Sequence, residues 1–325
     1  MTLLSHRLAL AAALAAGIPA IASAASLDAL GLLQSFNVIA LDDADMSAVN
    51  HVEGTVYVGG DLTSGTFIAN QDNLPEAAAG SVTGGLIVGG DLNAHVNSGG
   101  NGAIQVGGSL NGSSDVPVNT GVTGIPVSEM ADTFTSLAAG LSQLSGTDGA
   151  AFDTTMNFKS FSSGAGTDGI AVLNLGYDDA LAMFTGAGQI SFDIDASVTA
   201  FIINVAGADF GSDWSTTVWA QVNSNVSNVL FNFYEADTLT FGSTWNASVL
   251  APGALLASAP GGMNGTVVAE DLVLKGEIRT YGDSYVYAGT LPEPAAAAVP
   301  LPAALPLSLA GLCALGLVAR RRRSA

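Results

Sequence analysis

Short apolar stretches alternate with polar residues and end on paired glycines at several points along the chain. Residues 52–62 read VEGTVYVGGDL, residues 83–92 TGGLIVGGDL and residues 101–110 NGAIQVGGSL. Val58, Val88 and Val106 each precede Gly-Gly, at steps of 30 and 18 residues. A later pair, ASVLAPGALL at 247–256 and GTVVAEDLVL at 265–274, places Leu250 and Val268 again 18 apart. Short strands at a fixed step predict a β-solenoid (β-helix) of about 18-residue coils, each adding a strand to several parallel sheets. The 30-residue step is then one coil plus a loop within residues 63–81. Alternation puts Val56, Val58 and Leu62 inside, with Tyr57 and Asp61 outside. Gly59 and Gly60 are expected to form a corner at positive φ, and Asp61 to bond nearby turn N–H groups. A phosphate loop would instead need a following helix with Lys and Ser/Thr, and neither follows here.

Residues 127–146 break the pattern. Met130, Phe134, Leu137, Leu141 and Leu144 fall at helical spacing. Ser128 is the expected cap, Glu129 and Asp132 suit the positive end, and Gly146 closes the helix. Strand signals resume at 169–175, 189–194, 199–207, 217–222 and 228–242, rich in Val, Ile, Phe and Trp. The expected fold is therefore mainly β, a solenoid with one flanking α-helix. A β-sandwich or jelly roll is the alternative that these strands would also satisfy.

Both ends look like addresses. Residues 1–24 combine His6 and Arg7, an apolar run and the small-residue site Ala22-Ser23-Ala24, the layout of a secretory signal peptide cut after Ala24. At the other end an apolar segment, 304–319, is followed by Arg320, Arg321, Arg322 and Arg323. Sixteen apolar residues are short for a span of about 20, but Val299–Ala303 can extend it. The arginines would remain cytoplasmic, leaving the body across the membrane. Val299, Pro300, Leu301, Pro302 and Ala303, then an apolar helix and an arginine cluster, resemble the VPLPA form of the PEP-CTERM sorting signals. That resemblance implies an exosortase-type processing enzyme as partner, a Gram-negative host and transient insertion of residues 304–325 into the inner membrane. Residues 293–303 are then a linker carrying the motif.

Composition sharpens the body in between. Lys159, Lys275 and Arg279 are its three cations against all 28 acidic residues, a formal charge of −25. Phosphate backbones and anionic lipid are repelled by such a surface, which excludes nucleic acid as a partner. The one cysteine, Cys313, lies in the tail, so the body has no disulfide, thiolate metal site or cysteine nucleophile.

Residues 29–62, the segment MADTFTSLAAGLSQLSG and residues 245–292 together resemble the choice-of-anchor A domain family. The resemblance covers nearly the whole of residues 25–292 and implies an adhesin held at the cell surface or in the extracellular matrix. It brings no catalytic residues. The sequence departs from the family pattern at Arg279, after Gly276-Glu277-Ile278, where the family run continues with His.

Candidate chemistry is sparse. Carboxylates pair at Asp42-Asp43 with Asp45, at Asp178-Asp179, at Asp193 with Asp195 and at Glu270-Asp271. A glycosidase needs two at a set separation across a sugar, which sequence spacing does not supply. Asp42, Asp43 and Asp45 offer oxygen ligands of the kind calcium takes, without the closing Glu of a twelve-residue loop; no other cofactor is expected. His51 and His95 have no visible partners and are expected in loops. Lys275 and Arg279, four apart in a strand-like run, share a face at best. Trp214, Trp219, Trp245, Tyr234 and Tyr57 could stack on sugar rings or fill the core. The expected function is non-enzymatic binding of extracellular polysaccharide or matrix protein. A secreted glycosidase or lyase on a β-helix scaffold is the alternative. Ice binding would want long ranks of threonine, and only pairs such as Thr238 and Thr240 occur.

Overall fold

The computed structural model describes residues 27–292 apart from 73, 101, 156–157, 187 and 281–285, with the side chains of 223–225 also left undescribed. The leader site at Ala22 and Ala24, the motif Val299–Ala303, the segment 304–319 and Arg320 to Arg323 lie outside these residues. Among the described residues no helix is long and apolar enough to cross a membrane.

One large, mostly parallel sheet of twenty strands accounts for nearly all the pairing, in a β-helix-like arrangement. This parallel pairing replaces the antiparallel order a jelly roll requires. Three ladders can be followed. The first joins Ile170–Leu175, Ala200–Val205, Gln221–Asn232, Trp245–Ala257, Val267–Val273, Val38–Ala40, Val56–Val58, Leu86–Val88 and Ile104–Val106. The second passes through Thr238–Thr240, Ala44–Asp45, Leu62–Phe67 and Leu92–Val96, and the third through Phe158–Ser162, Gln189–Asp193 and Met263–Asn264. The repeat steps in the sequence are the separations of paired rungs. Asp43 and Asp61 meet 18 residues apart, Asp61 and Asp91 30 apart.

The ladder does not follow chain order. Val38–Ala40 lies between Val56–Val58 on one side and Val267–Val273 on the other. The chain climbs from residue 38 to 106, returns along the outside as a helix, and builds the second half of the stack until it meets its own first strand. That crossover is α2 (Val127–Ser142); α1 (Ala29–Ser35) and α3 (Tyr177–Phe184) are two short helices that periodicity did not predict.

Two apolar layers result. Val38, Val56, Leu86, Phe231, Val249 and Val267 fill the interior, and Phe161, Phe184, Phe233 and Trp245 widen it toward the second half. Outside the first ladder, Ile39, Tyr57, Ile87, Leu250 and Val268 form a stripe covered by Met130, Phe134, Ala138 and Leu141 of α2. Tyr57 does point outward, yet it is fully buried beneath this cover, edge-on to Phe36 at 6.1 Å. Burial first, then the charge of Glu129, pushes its phenol pKa up.

Beyond the stripe the same row turns polar. Asn232 and Asn204 donate to the carbonyls of Ala138 and Leu141, at 2.9 and 2.8 Å, and Asn174 to that of Leu144 at 3.0 Å. These amides bond the C-terminal turns of α2 and the residues just after it to the ladder. The other end differs from expectation. Pro126 precedes the helix with no side-chain cap, and the Ser128 hydroxyl turns to Glu129. Of the stretch 63–81 expected to hold the loop, residues 63–67 continue the strand Leu62–Phe67 and Ala77–Ala79 pairs antiparallel with Val82–Gly84 just beyond it.

Gly-Gly-Asp builds the corners, by a mechanism unlike the expected positive φ. Gly59, Gly60, Gly89 and Gly90 have no positive φ. A Cβ on Gly89 would overlap the carbonyl oxygen of Gly59 on the adjacent rung, and one on Gly90 the carboxylate of Asp61. Each aspartate accepts the N–H of its counterpart one rung on. Asp271 accepts from Asp43 (3.2 Å), Asp43 from Asp61 (2.7 Å), Asp61 from Asp91 (2.6 Å) and Asp91 from Ser109 (2.7 Å).

Gly89→Ala should destabilise the fold by about 2 kcal/mol or more, an overpacking cost. Gly65→Ala, where a Cβ meets nothing within 4 Å, should be neutral or gain about 0.5 kcal/mol; urea unfolding of both variants checks the contrast. At the same corner the pKa of Asp42 is raised from 3.8, by burial first and then by Asp43, Asp271 and Asp61. The folded state thus holds that proton more tightly than the unfolded one, and stability falls as pH rises from 3.8 through the folded pKa. Asp42→Asn should therefore raise Tm by about 1–2 °C at pH 7, and the gain should vanish below pH 3.8.

Candidate functional site

With the first ladder covered by α2, the second and third ladders supply the exposed flanks. The outward row of the second reads Thr240, Ala257, Val273, Asp45, Thr63 and Asn93. Its two threonines, Thr240 and Thr63, are separated by Ala257, Val273 and Asp45, so no unbroken rank of threonine runs along it.

The third ladder carries an aromatic groove. Strand alternation in Phe158–Ser162 sends Lys159 and Phe161 inward and Phe158 outward. Phe158 pairs in register with Gln189, and Gln189 with Gln221, so ring and amides stack on successive rungs. Phe158 is 72% exposed and Trp214 78%. Trp219 lies against Trp214 with ring centroids 4.4 Å apart at 48°, and its indole N–H donates to the Trp214 carbonyl at 3.3 Å. Together with Ser215 and Ser243 these residues line a space of about 860 Å³.

The walls are held in place from beneath. The buried ammonium of Lys159 donates to the carbonyls of Met183 (2.9 Å) and Thr185 (3.0 Å), fixing the end of α3 beside the groove. Burial lowers its pKa. Trp219 covers Gly242, where a Cβ would collide with its ring. The loop bearing Trp214 is tied by Asp213, whose carboxylate accepts from the N–H groups of Ser215 (2.8 Å) and Thr216 (3.0 Å) and from the Ser215 hydroxyl (2.6 Å). Asp209 holds the preceding turn through Gly211 and Ser212.

The side chains expected to stack on sugars therefore divide. Trp214 and Trp219 meet at the surface. Trp245 lies in the core, 4.9 Å from both Phe231 and Phe241, and Tyr57 lies under α2. Tyr234 is half-buried on the α2 side. Phe158 was missed; its parity with Ser160 and Ser162, opposite Phe161, is the signal that could have found it.

None of the described residues lining this groove ionises, and the carboxylate pairs lie elsewhere. Asp178 and Asp179 occupy the first turn of α3, Asp195 accepts from Ser197, and Asp271 belongs to the corner ladder. Asp43 and Asp45 accept backbone N–H groups of Asp61 and Ser47. Among the described residues no group of three or more His, Cys, Asp or Glu side chains is placed to hold a metal ion. The histidines do have partners. His51 lies 3.4 Å from Glu277, and His95, in a strand rather than a loop, meets Ser113 at 2.7 Å and Asp115 at 3.6 Å. Lys275 and Arg279 line a second groove of about 560 Å³ with Glu277, which pairs with Arg279 at 3.0 Å.

A mainly β scaffold with its interior packed, one flank covered and an aromatic groove free of ionisable groups is a protein equipped to bind at its surface. Residues 29–280 match the family described as "Putative Ice-binding-like adhesive domain", and the chain belongs to that family. No curated protein matches it. Among solved structures it is similar to a glycosylated ice-binding protein from Arctic yeast, at 12% identity and a TM-score of 0.34 over 82% of this chain and 95% of that one. It is similar also to an ice-binding protein of the Antarctic ascomycete Antarctomyces psychrotrophicus, at 15% identity and a TM-score of 0.28 over 82% and 100%.

Hydrogen bonds lower the pKa of Asp213 beneath 3.8, that from the Ser215 side chain first. A depressed carboxylate contributes its stability above the unfolded pKa and loses it as pH falls through the folded one. Tryptophan fluorescence from the Trp214–Trp219 pair should therefore hold steady from pH 7 to about 4.5 and change only below 3.8. Asp213→Ala should bring the acid-like spectrum up to pH 7.

Proposed function

We propose that this protein is an exported adhesin of the cell surface or extracellular matrix, one that binds polysaccharide or matrix protein and performs no chemistry on it. The observation that carries this is the exposed aromatic groove without an ionisable side chain, on a chain that belongs to an adhesive-domain family. In this proposal the ladders wind as solenoid coils of the choice-of-anchor A type, residues 1–24 direct export, and Val299–Ala303 with the arginines present the tail to an exosortase-type enzyme after transient membrane insertion. The mixed outward row from Thr240 to Asn93 gives no support to an ice-matching rank of hydroxyls.

The test is to immobilise the full chain and offer it the host's own exopolysaccharide, collagen and other glycans, with and without calcium, assaying both retention and chain cleavage. Saturable retention without cleavage is the expected result. Cleavage would overturn the non-enzymatic proposal and direct attention to the groove of Lys275, Glu277 and Arg279. Absence of retention on every surface would overturn the adhesin itself.

A further inference from the structure

Among the described residues most large apolar side chains are buried, so the exposure of Phe158 and Trp214 in one groove requires an explanation. Exposed apolar surface rimmed by polar groups marks a binding site. Here the rim is specific. Gln189 and Gln221 stack beside Phe158 and offer amide donors and acceptors, Ser215 and Ser243 offer hydroxyls, and none of the described lining residues carries charge.

We propose that this groove is a platform for a neutral glycan chain, its pyranose rings stacked on Trp214, Trp219 and Phe158 and its hydroxyls bonded by Gln189 and Gln221. The proposal rests on the adhesive function above and names its ligand class. The C–H face of a pyranose is apolar while its rim is all hydroxyl, which matches flat rings bordered by neutral amides. The space of about 860 Å³ lies within the range of ligand sites, about 300–1,000 Å³.

Charge narrows the class further. The body carries 28 acidic residues against three cations. One of those cations, Lys159, is buried against backbone carbonyls, and the other two line the separate groove with Glu277. Uronate and sulfated polymers would meet repulsion with no compensating cation at the rings. The platform is also fixed in advance. Trp219 is seated on Gly242 and bonded to the Trp214 carbonyl, Asp213 ties the Trp214 turn, and Lys159 fixes the α3 wall. Such preorganisation limits the ordering cost of binding.

The full chain would be titrated with the hexasaccharides of β-1,4-glucose, α-1,4-glucose, β-1,4-xylose and β-1,4-N-acetylglucosamine, and with alginate, following tryptophan fluorescence and heat. The expected result is saturable binding of at least one neutral oligosaccharide and none of alginate. Trp214→Ala and Phe158→Ala should each weaken it at least tenfold, while Trp214→Phe should stay within about threefold. Gly242→Ala, by displacing Trp219, should weaken it without removing either exposed ring. Failure of all four neutral chains, preference for alginate, or equal binding by Trp214→Ala would overturn the proposal. Retention of the Trp214→Ala chain on the host's exopolysaccharide or collagen would leave the adhesin standing and remove only the groove from it.

Discussion

Backbone hydrogen bonds hold successive rungs about 4.8 Å apart, and every corner of the stack has to turn within that spacing. The Gly-Gly-Asp corners meet the constraint in two ways. Glycine removes the Cβ that would strike the carbonyl of the adjacent rung, and aspartate uses the same proximity to accept the N–H that the turn leaves without a strand partner. The result is a column of carboxylates along one edge, from Asp271 through Asp43 and Asp61 to Asp91. Asp42, beside this column, has a raised pKa, from burial first and then from the repulsion of Asp43, Asp271 and Asp61.

The second dependency is α2. A strand facing the interior on one side exposes an apolar row on the other, and Ile39, Tyr57, Ile87, Leu250 and Val268 would face water without the helix. Because α2 is also the connection between the two halves of the stack, one element both returns the chain and seals the flank. The asparagines at 174, 204 and 232 tie its C-terminal turns to the ladder by amide hydrogen bonds.

How much of this was legible follows from the range of the forces involved. Steps of 18 and 30 residues were visible because each rung repeats the same local chemistry, and the helix because its apolar spacing is local too. The order of rungs was not. Nothing within Val38–Ala40 distinguishes a strand with one neighbour from a strand with two, and the contact with Val267–Val273 joins the chain's two ends. The role of the glycine pairs was misassigned for the same reason, since the atoms that exclude a Cβ lie on another rung. At the groove, Trp214 and Trp219 stood out by residue type, but sequence could not separate them from the buried Trp245. Phe158 was overlooked among strand-forming residues, and the alignment of Gln189 with Gln221 exists only once the rungs are stacked.

The position of Val38–Ala40 also bears on the order in which the molecule can be completed. A chain emerging with its N-terminus first can pair this strand with Val56–Val58 early, but the other edge stays open until residues 267–269 arrive. For the whole interval the half-built stack presents an unpaired parallel edge, a template for any other extended chain nearby. The last long strand is therefore a keystone. Its arrival closes both halves at once, and a truncation upstream of residue 267 would leave two open-edged half-stacks joined through α2 instead of a shorter version of the same protein.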